Sequence, residues 1–276
     1  MSIFDEPKID CHNHVLDPLN FPYAADAVYR PAGQEIGTAA QLDAVLAVYG
    51  ARHALIVGPN SGYGTDNRCL LDAVARGQGR HKGVAVVRHD VDSAELERLK
   101  ALGIVGVTMN ATYHPSGYYA NAGPLLAKLA ALGLFIQVQV EGEQMVALAP
   151  MLIDSGARIV IDHCGRPTPA AGLDQPGFTA VLDLARTGRA SVKVSGYAKF
   201  SQQRWPYLDT HRYVHALVDA YSLDACVWRS DWPFLRAIER LDYGPLLKLV
   251  EILFPDRASR QKLFWETPRA LFGFRA

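Results

Sequence analysis

The chain lacks a surplus of either charge, a cysteine pair at metal or redox spacing, a phosphate-binding glycine signature after its first strand-like run, and an apolar run of membrane-spanning length. Its 28 basic residues balance 28 acidic ones, so nothing draws it to nucleic acid or to an anionic membrane, and a small molecule is the expected partner. Crossing a bilayer takes about 20 consecutive apolar residues, more than any run here offers. The start, Met1-Ser2-Ile3-Phe4-Asp5-Glu6, has no basic segment leading into an apolar one, so no export signal is expected. Cys11, Cys69, Cys164 and Cys226 are scattered and read as buried free thiols of a reducing compartment, the cytoplasm. The glycine-bearing stretch 58–64 lacks the Gly-Lys-Ser/Thr ending of a P-loop and reads as a turn.

What the chain does have is material for a large core, with 49% hydrophobic and 20% charged residues. Runs rich in Val, Ile and Leu recur at 9–14, 53–57, 83–87, 105–110, 134–140, 158–163, 191–195 and 225–231. They lie roughly 20 to 45 residues apart, room for a crossover helix between parallel strands. Thr65-Asp66-Asn67 and Asp92-Ser93 are candidate helix starts. Leu125, Leu126, Leu129 and Leu132 carry helical spacing up to Gly133, an expected stop, and read as core packing. Eight β-α repeats predict a (β/α)8 TIM barrel, with residues 1–276 as a single domain; a doubly wound open sheet shares the alternation. The longest irregular connection, 17–37, follows the first strand and is expected over the active face.

In a barrel the chemistry belongs at the carboxyl ends of the strands, and here those ends are polar. His12 and His14 lie two residues apart on the first strand, on one face. Asn110 ends the fourth, Gln137 and Gln139 lie on the fifth, His163 ends the sixth, Tyr197 and Lys199 follow the seventh, and Asp231 ends the eighth. Each has a plain reading: a satisfied core histidine for His163, and for Asp231 a helix cap or an ion pair with Arg229 or Arg236. Three histidines and an aspartate at three strand ends are harder to explain as packing.

The order His-x-His, His, Asp resembles the amidohydrolase superfamily. His12-Asn13-His14, Tyr63-Gly64-Thr65-Asp66-Asn67, Asp162-His163-Cys164-Gly165-Arg166-Pro167, Val192-Lys193-Val194-Ser195-Gly196, Ser230-Asp231-Trp232-Pro233 and the C-terminal Trp265-Glu266-Thr267-Pro268-Arg269-Ala270-Leu271-Phe272-Gly273 are similar to its branch of 2-pyrone-4,6-dicarboxylate lactonases. That resemblance implies hydrolysis of a lactone or related ester. Asp231 is then the base, and His12, His14 and His163 surround the carbonyl. Substrate contacts are expected from Arg166, Lys199, Tyr63, Gln139, Asn110 and Tyr197. No metal is required in such lactonases; metal-using relatives supply a histidine from strand five, where this chain has Gln139, a poor zinc ligand. One Zn²⁺ or Mn²⁺ held by His12, His14, His163 and Asp231 is the alternative.

The chain departs from the dicarboxylate pattern at two anchors. Gly106-Val107-Thr108 replaces a Gly-x-Arg pattern, and Phe234 follows Trp232-Pro233 where the branch has a polar residue. A substrate with fewer carboxylates is expected, a monoanionic or neutral lactone derived from a sugar or an aromatic ring. Two other classes compete: a metal-dependent decarboxylase or hydrolase of a carboxylated ring, and a non-catalytic small-molecule-binding barrel. A homo-oligomer is compatible with everything above.

Overall fold

The structure is a computed structural model that describes residues 2–114 and 117–275. Eight strands alternate with helices: β1 (Lys8–Asn13), β2 (Ala51–Val57), β3 (His81–Ala85), β4 (Ile104–Asn110), β5 (Phe135–Gln139), β6 (Arg158–Ile161), β7 (Ala190–Lys193) and β8 (Cys226–Val227). The sheet follows chain order from β1 to β8, with parallel ladders, and the fold is a (β/α)8 barrel. Strands covered on both faces are largely apolar, which is why the runs stand out in the sequence. No helix among the described residues is long and apolar enough to cross a membrane.

The local signals act as their chemistry dictates. Asp92 accepts the Glu95 backbone N–H at 2.8 Å and so caps the helix Ser93–Ala101. The helix Gly123–Leu132 buries Leu125, Leu126 and Leu129 and ends at Gly133, whose φ of +67° only glycine adopts without strain. That turn lets the Leu134 N–H reach back to the Leu129 carbonyl at 2.9 Å, and β5 starts one residue later. Asn67 behaves differently from expectation: it makes no side-chain cap and instead bonds the Val86 N–H and carbonyl at 3.1 and 2.8 Å. The eighth strand is also shorter than its apolar run, ending at Val227.

By backbone contacts the chain forms two compact units. The first comprises the chain up to Val86, Leu102–Ile104 and the chain from Val227 on. Within it the segment after Val227 runs beside β1: Cys11 donates to the Trp228 carbonyl at 3.2 Å, Asp231 to the His12 carbonyl at 2.9 Å, and His14 to the Trp232 carbonyl at 2.8 Å. The second unit comprises Val87–Ala101 and Val105–Cys226. Its interior holds a charge pair, Lys193 Nζ to Asp162 Oδ1 at 2.9 Å, with both side chains fully buried. Lys193 also donates to Gln137 Oε1 at 2.6 Å. A buried ammonium is tolerable only with such partners.

Candidate active site

In the first unit, β1 is buried along its whole length, yet Lys8, Asp10 and His12 alternate on one of its faces as the two-residue period requires. Lys8 closes the amino end by donating to the Glu6 and Tyr49 carbonyls, both at 2.6 Å. At the carboxyl end stand His12, His14 and Asp231, all buried. His12 Nε2 and His14 Nε2 are 3.2 Å apart, and each lies 3.7 Å from Asp231 Oδ1.

The protons follow from the partners. The Val57 carbonyl only accepts, so His14 donates to it through Nδ1 at 2.7 Å; in the neutral ring this leaves the Nε2 lone pair facing His12. The N–H in that contact then belongs to His12 Nε2. Asp231 itself has φ +70°, in the left-handed region, a conformation that persists only where the surroundings enforce it. Part of that enforcement is Asp10, a residue the sequence reading passed over. Asp10 accepts from the Ser230 backbone and hydroxyl at 2.9 and 2.5 Å, from Tyr243 at 3.2 Å and from the His12 N–H at 3.3 Å. Trp232 N–H donates to Ser230 Oγ at 3.0 Å, so both neighbours of Asp231 are tied to one carboxylate. Burial pushes the Asp10 pKa up, against the pull of these donors. The available signal was its place two residues before His12 in an apolar strand.

The plain reading of Asp231 as an ion-pair partner also holds. Arg229 Nη1 lies 2.8 Å from Asp231 Oδ1, with the guanidinium side chain fully buried. Arg236 is engaged elsewhere: its N–H donates to Glu35 Oε1 at 2.6 Å and its guanidinium lies over the Tyr29 ring at 4.3 Å. Glu35 belongs to the long connection 17–37, which is thereby fastened to the segment following Asp231. Gly37 in that connection passes so close to Trp232 that an added Cβ would sit 2.5 Å from the indole.

His12, His14 and Asp231 are a candidate ion-binding group, their donor atoms all within 4.8 Å of one another. Their spacing suits a metal, but their charge does not, because the carboxylate oxygen that would ligate it is already paired with a guanidinium.

The remaining expected residues are individually placed. Tyr63, in the first unit, is buried, and its hydroxyl accepts the Asp17 N–H at 3.0 Å. In the second unit His163 is buried at φ +52°, opening a tight turn after β6 in which Cys164 and Arg166 also have positive φ. Arg166 is not a solvated surface charge: it pairs with Glu141 at 2.8 Å and is 19% exposed. Lys199 is half-buried on the turn after β7. Gln139 donates to Thr112 Oγ1 at 3.1 Å, and Thr112 Oγ1 donates to Asn110 Oδ1 at 2.8 Å. Asn110 Oδ1 also accepts the Thr112 and Tyr113 N–H groups, so it shapes its own loop. Tyr197 points into the core, fully buried, with its hydroxyl donating to the Val194 carbonyl at 2.6 Å. Further along the same loop as Asn110, His114 stacks on Tyr118 at 3.9 Å between ring centres.

Comparison with known proteins supplies a context for this geometry. The family model described as amidohydrolase matches residues 9–274. A 4-sulfomuconolactone hydrolase of Rhizobium radiobacter is 30% identical over 96% of this chain and 89% of its own. A 2-pyrone-4,6-dicarboxylate hydrolase of Comamonas testosteroni is 26% identical over the same shares. A crystal structure of a probable 2-pyrone-4,6-dicarboxylic acid hydrolase from Acinetobacter baumannii, with citric acid bound, aligns at a TM-score of 0.88 with 27% identity, covering 97% of this chain and 99% of that one. Alike over nearly its whole length to hydrolases that open lactones, the chain belongs to the amidohydrolase family.

Proposed function

We propose that the protein opens a small lactone with a water activated by Asp231, without a metal. The observation that carries this reading is the convergence of His12 Nε2 and His14 Nε2 on Asp231 Oδ1 at 3.7 Å each. Asp231 takes a proton from water as the oxygen attacks the ring carbonyl. His12 Nε2–H exchanges its His14 partner for the carbonyl oxygen as that oxygen gains charge. When the tetrahedral intermediate collapses, the ring C–O bond breaks and the proton held by Asp231 passes to the departing oxygen, giving an open-chain acid. A positioned general base contributes about 10² to 10⁴ in rate, and a well-aimed oxyanion donor adds about 3 kcal/mol. A lactone with a stabilised leaving oxygen is within reach of these two effects, whereas an unactivated amide gains far more from a metal-held hydroxide. The family resemblance adds His163 to the catalytic set, which His163→Asn tests on its own.

The substrate class follows from the cations. Arg166 and Lys199 remain as anion partners, while Thr108 and Phe234 stand where the dicarboxylate pattern has further polar anchors. We assign a lactone with fewer carboxylates than 2-pyrone-4,6-dicarboxylate, derived from an aromatic ring or a sugar. The four free, buried cysteines fit a reducing cytoplasm.

The test is hydrolysis of a lactone panel, followed with a pH indicator, on chelator-treated protein of verified metal content beside Asp231→Asn. Turnover that survives stripping and falls about 100-fold or more in the variant supports the reading. Loss on stripping with rescue by zinc or manganese puts the decarboxylase class first. Unchanged turnover in Asp231→Asn removes Asp231 as the base.

A further inference from the structure

The His12, His14 and Asp231 cluster presents a contradiction between its shape and its charge. From the separations of 3.2, 3.7 and 3.7 Å, the point equidistant from the three donor atoms lies roughly 2 Å from each, the usual zinc–ligand distance. On spacing alone this is an ion site. Yet Arg229 Nη1 is only 2.8 Å from the same Asp231 Oδ1 that would ligate the ion, on a side chain with no exposure.

We propose that Arg229 takes the place of a metal's charge in this cluster and keeps divalent cations out of it. The proposal rests on the metal-free reading above and names the residue that enforces it. Two imidazoles are neutral ligands, and the one anionic ligand is already compensated, so an entering dication meets a cluster with no net negative charge. It would also stand within about 5 Å of the guanidinium, in a region where little water screens the repulsion. A lysine could escape by losing its proton; an arginine cannot at any ordinary pH. The proton arrangement acts in the same direction. His12 Nε2–H faces His14 Nε2, so binding through both Nε2 atoms requires His12 to move its proton to Nδ1 before any ligand bond forms.

The test uses the full chain and the metals alone. Chelator-stripped wild type, His14→Gln, Arg229→Gln, Arg229→Met and the double variant Arg229→Gln with His14→Gln are titrated with Zn²⁺ and with Mn²⁺ by calorimetry at one fixed pH. Bound metal is then counted after gel filtration, and circular dichroism verifies each fold. Wild type is expected to retain no stoichiometric metal. Arg229→Gln should bind a single equivalent of zinc at least about 100-fold more tightly than wild type, and the double variant should lose it. Arg229→Met, equally without charge, should gain the same site at the same fixed pH. Wild-type uptake of a single equivalent that His14→Gln abolishes overturns the proposal without reference to any Arg229 variant. So does a folded Arg229→Gln that binds no better than wild type. If Arg229→Gln does not fold, Arg229→Met decides at the same fixed pH: a folded Arg229→Met that binds zinc no better than wild type refutes the proposal. Failure of every lactone as a substrate would sink the functional reading while leaving these isotherms to stand or fall alone.

Discussion

Removing the Ser230 hydroxyl should damage stability and turnover together, because that oxygen links Asp10 to the backbone on the far side of Asp231. In Ser230→Ala, Asp10 Oδ2 loses its 2.5 Å donor and keeps Tyr243 at 3.2 Å, while the Trp232 N–H loses its 3.0 Å acceptor. A hydrogen bond to a charged group contributes about 1.5–3 kcal/mol, and an orphaned buried N–H costs about 1–3 kcal/mol. The Trp232 N–H is only part-buried, so its share lies at the low end, about 1 kcal/mol, and the expected loss in urea denaturation is about 2.5–4 kcal/mol, a large share of a typical 5–15 kcal/mol. Tyr243→Phe removes one neutral donor and keeps the ring stacked on Tyr49 at 4.8 Å, so about 1 kcal/mol is expected.

The pH dependence has a definite sign. Burial holds the Asp10 carboxyl above its ordinary 3.8, so the native state keeps that proton more tightly than the unfolded chain does. The stability that the proton contributes is complete below the unfolded value and is lost as pH rises through the folded one. Ser230→Ala removes a donor that pulls the folded value down, moving it further up, so the variant's deficit should widen from acid towards neutral pH. Turnover should fall about 10- to 100-fold in kcat with little change in KM, the effect of displacing a base by a fraction of an ångström. A variant that loses under about 1 kcal/mol at every pH and keeps its kcat would refute the argument that Asp10 positions Asp231.

Other substitutions probe the remaining links. Gly37→Ala places a Cβ 2.5 Å from the Trp232 ring; the indole must shift, and a loss of about 1–3 kcal/mol with reduced turnover is expected from melts and lactone assays. Lys193→Met leaves Asp162 charged and buried, which should cost about 3–5 kcal/mol in urea denaturation, whereas Lys193→Met with Asp162→Leu should recover most of it. Arg166→Gln should raise KM about 10-fold or more for a carboxylated lactone and leave a neutral one unchanged. All four cysteines are buried, and burial pushes the Cys164 thiol up to about 12, so a disulfide reagent should modify the native protein far more slowly than the denatured one.

Most of the barrel is legible in the sequence because strands covered on both sides are largely apolar, and a glycine such as Gly133 marks where its helix gives way. The end of β8 is not. Residues 228–231 continue the look of a strand, but periodicity carries no information about the sign of φ, and Asp231 turns left-handed at +70°. His12, His14 and Asp231 stand out as polar groups where the pattern demands apolar ones. Asp10 is polar in the same strand and equally conspicuous, yet its partners Ser230 and Tyr243 lie 220 and 233 residues away, and a single sequence does not record which distant residues meet. The ion-pair and catalytic readings of Asp231 look like rivals on the page. In the fold they are compatible, because the oxygen that pairs with Arg229 is the oxygen both imidazoles face. A guanidinium held there fixes the direction of the carboxylate and leaves the histidines to hydrogen-bond, which is what the proposed metal-free base needs.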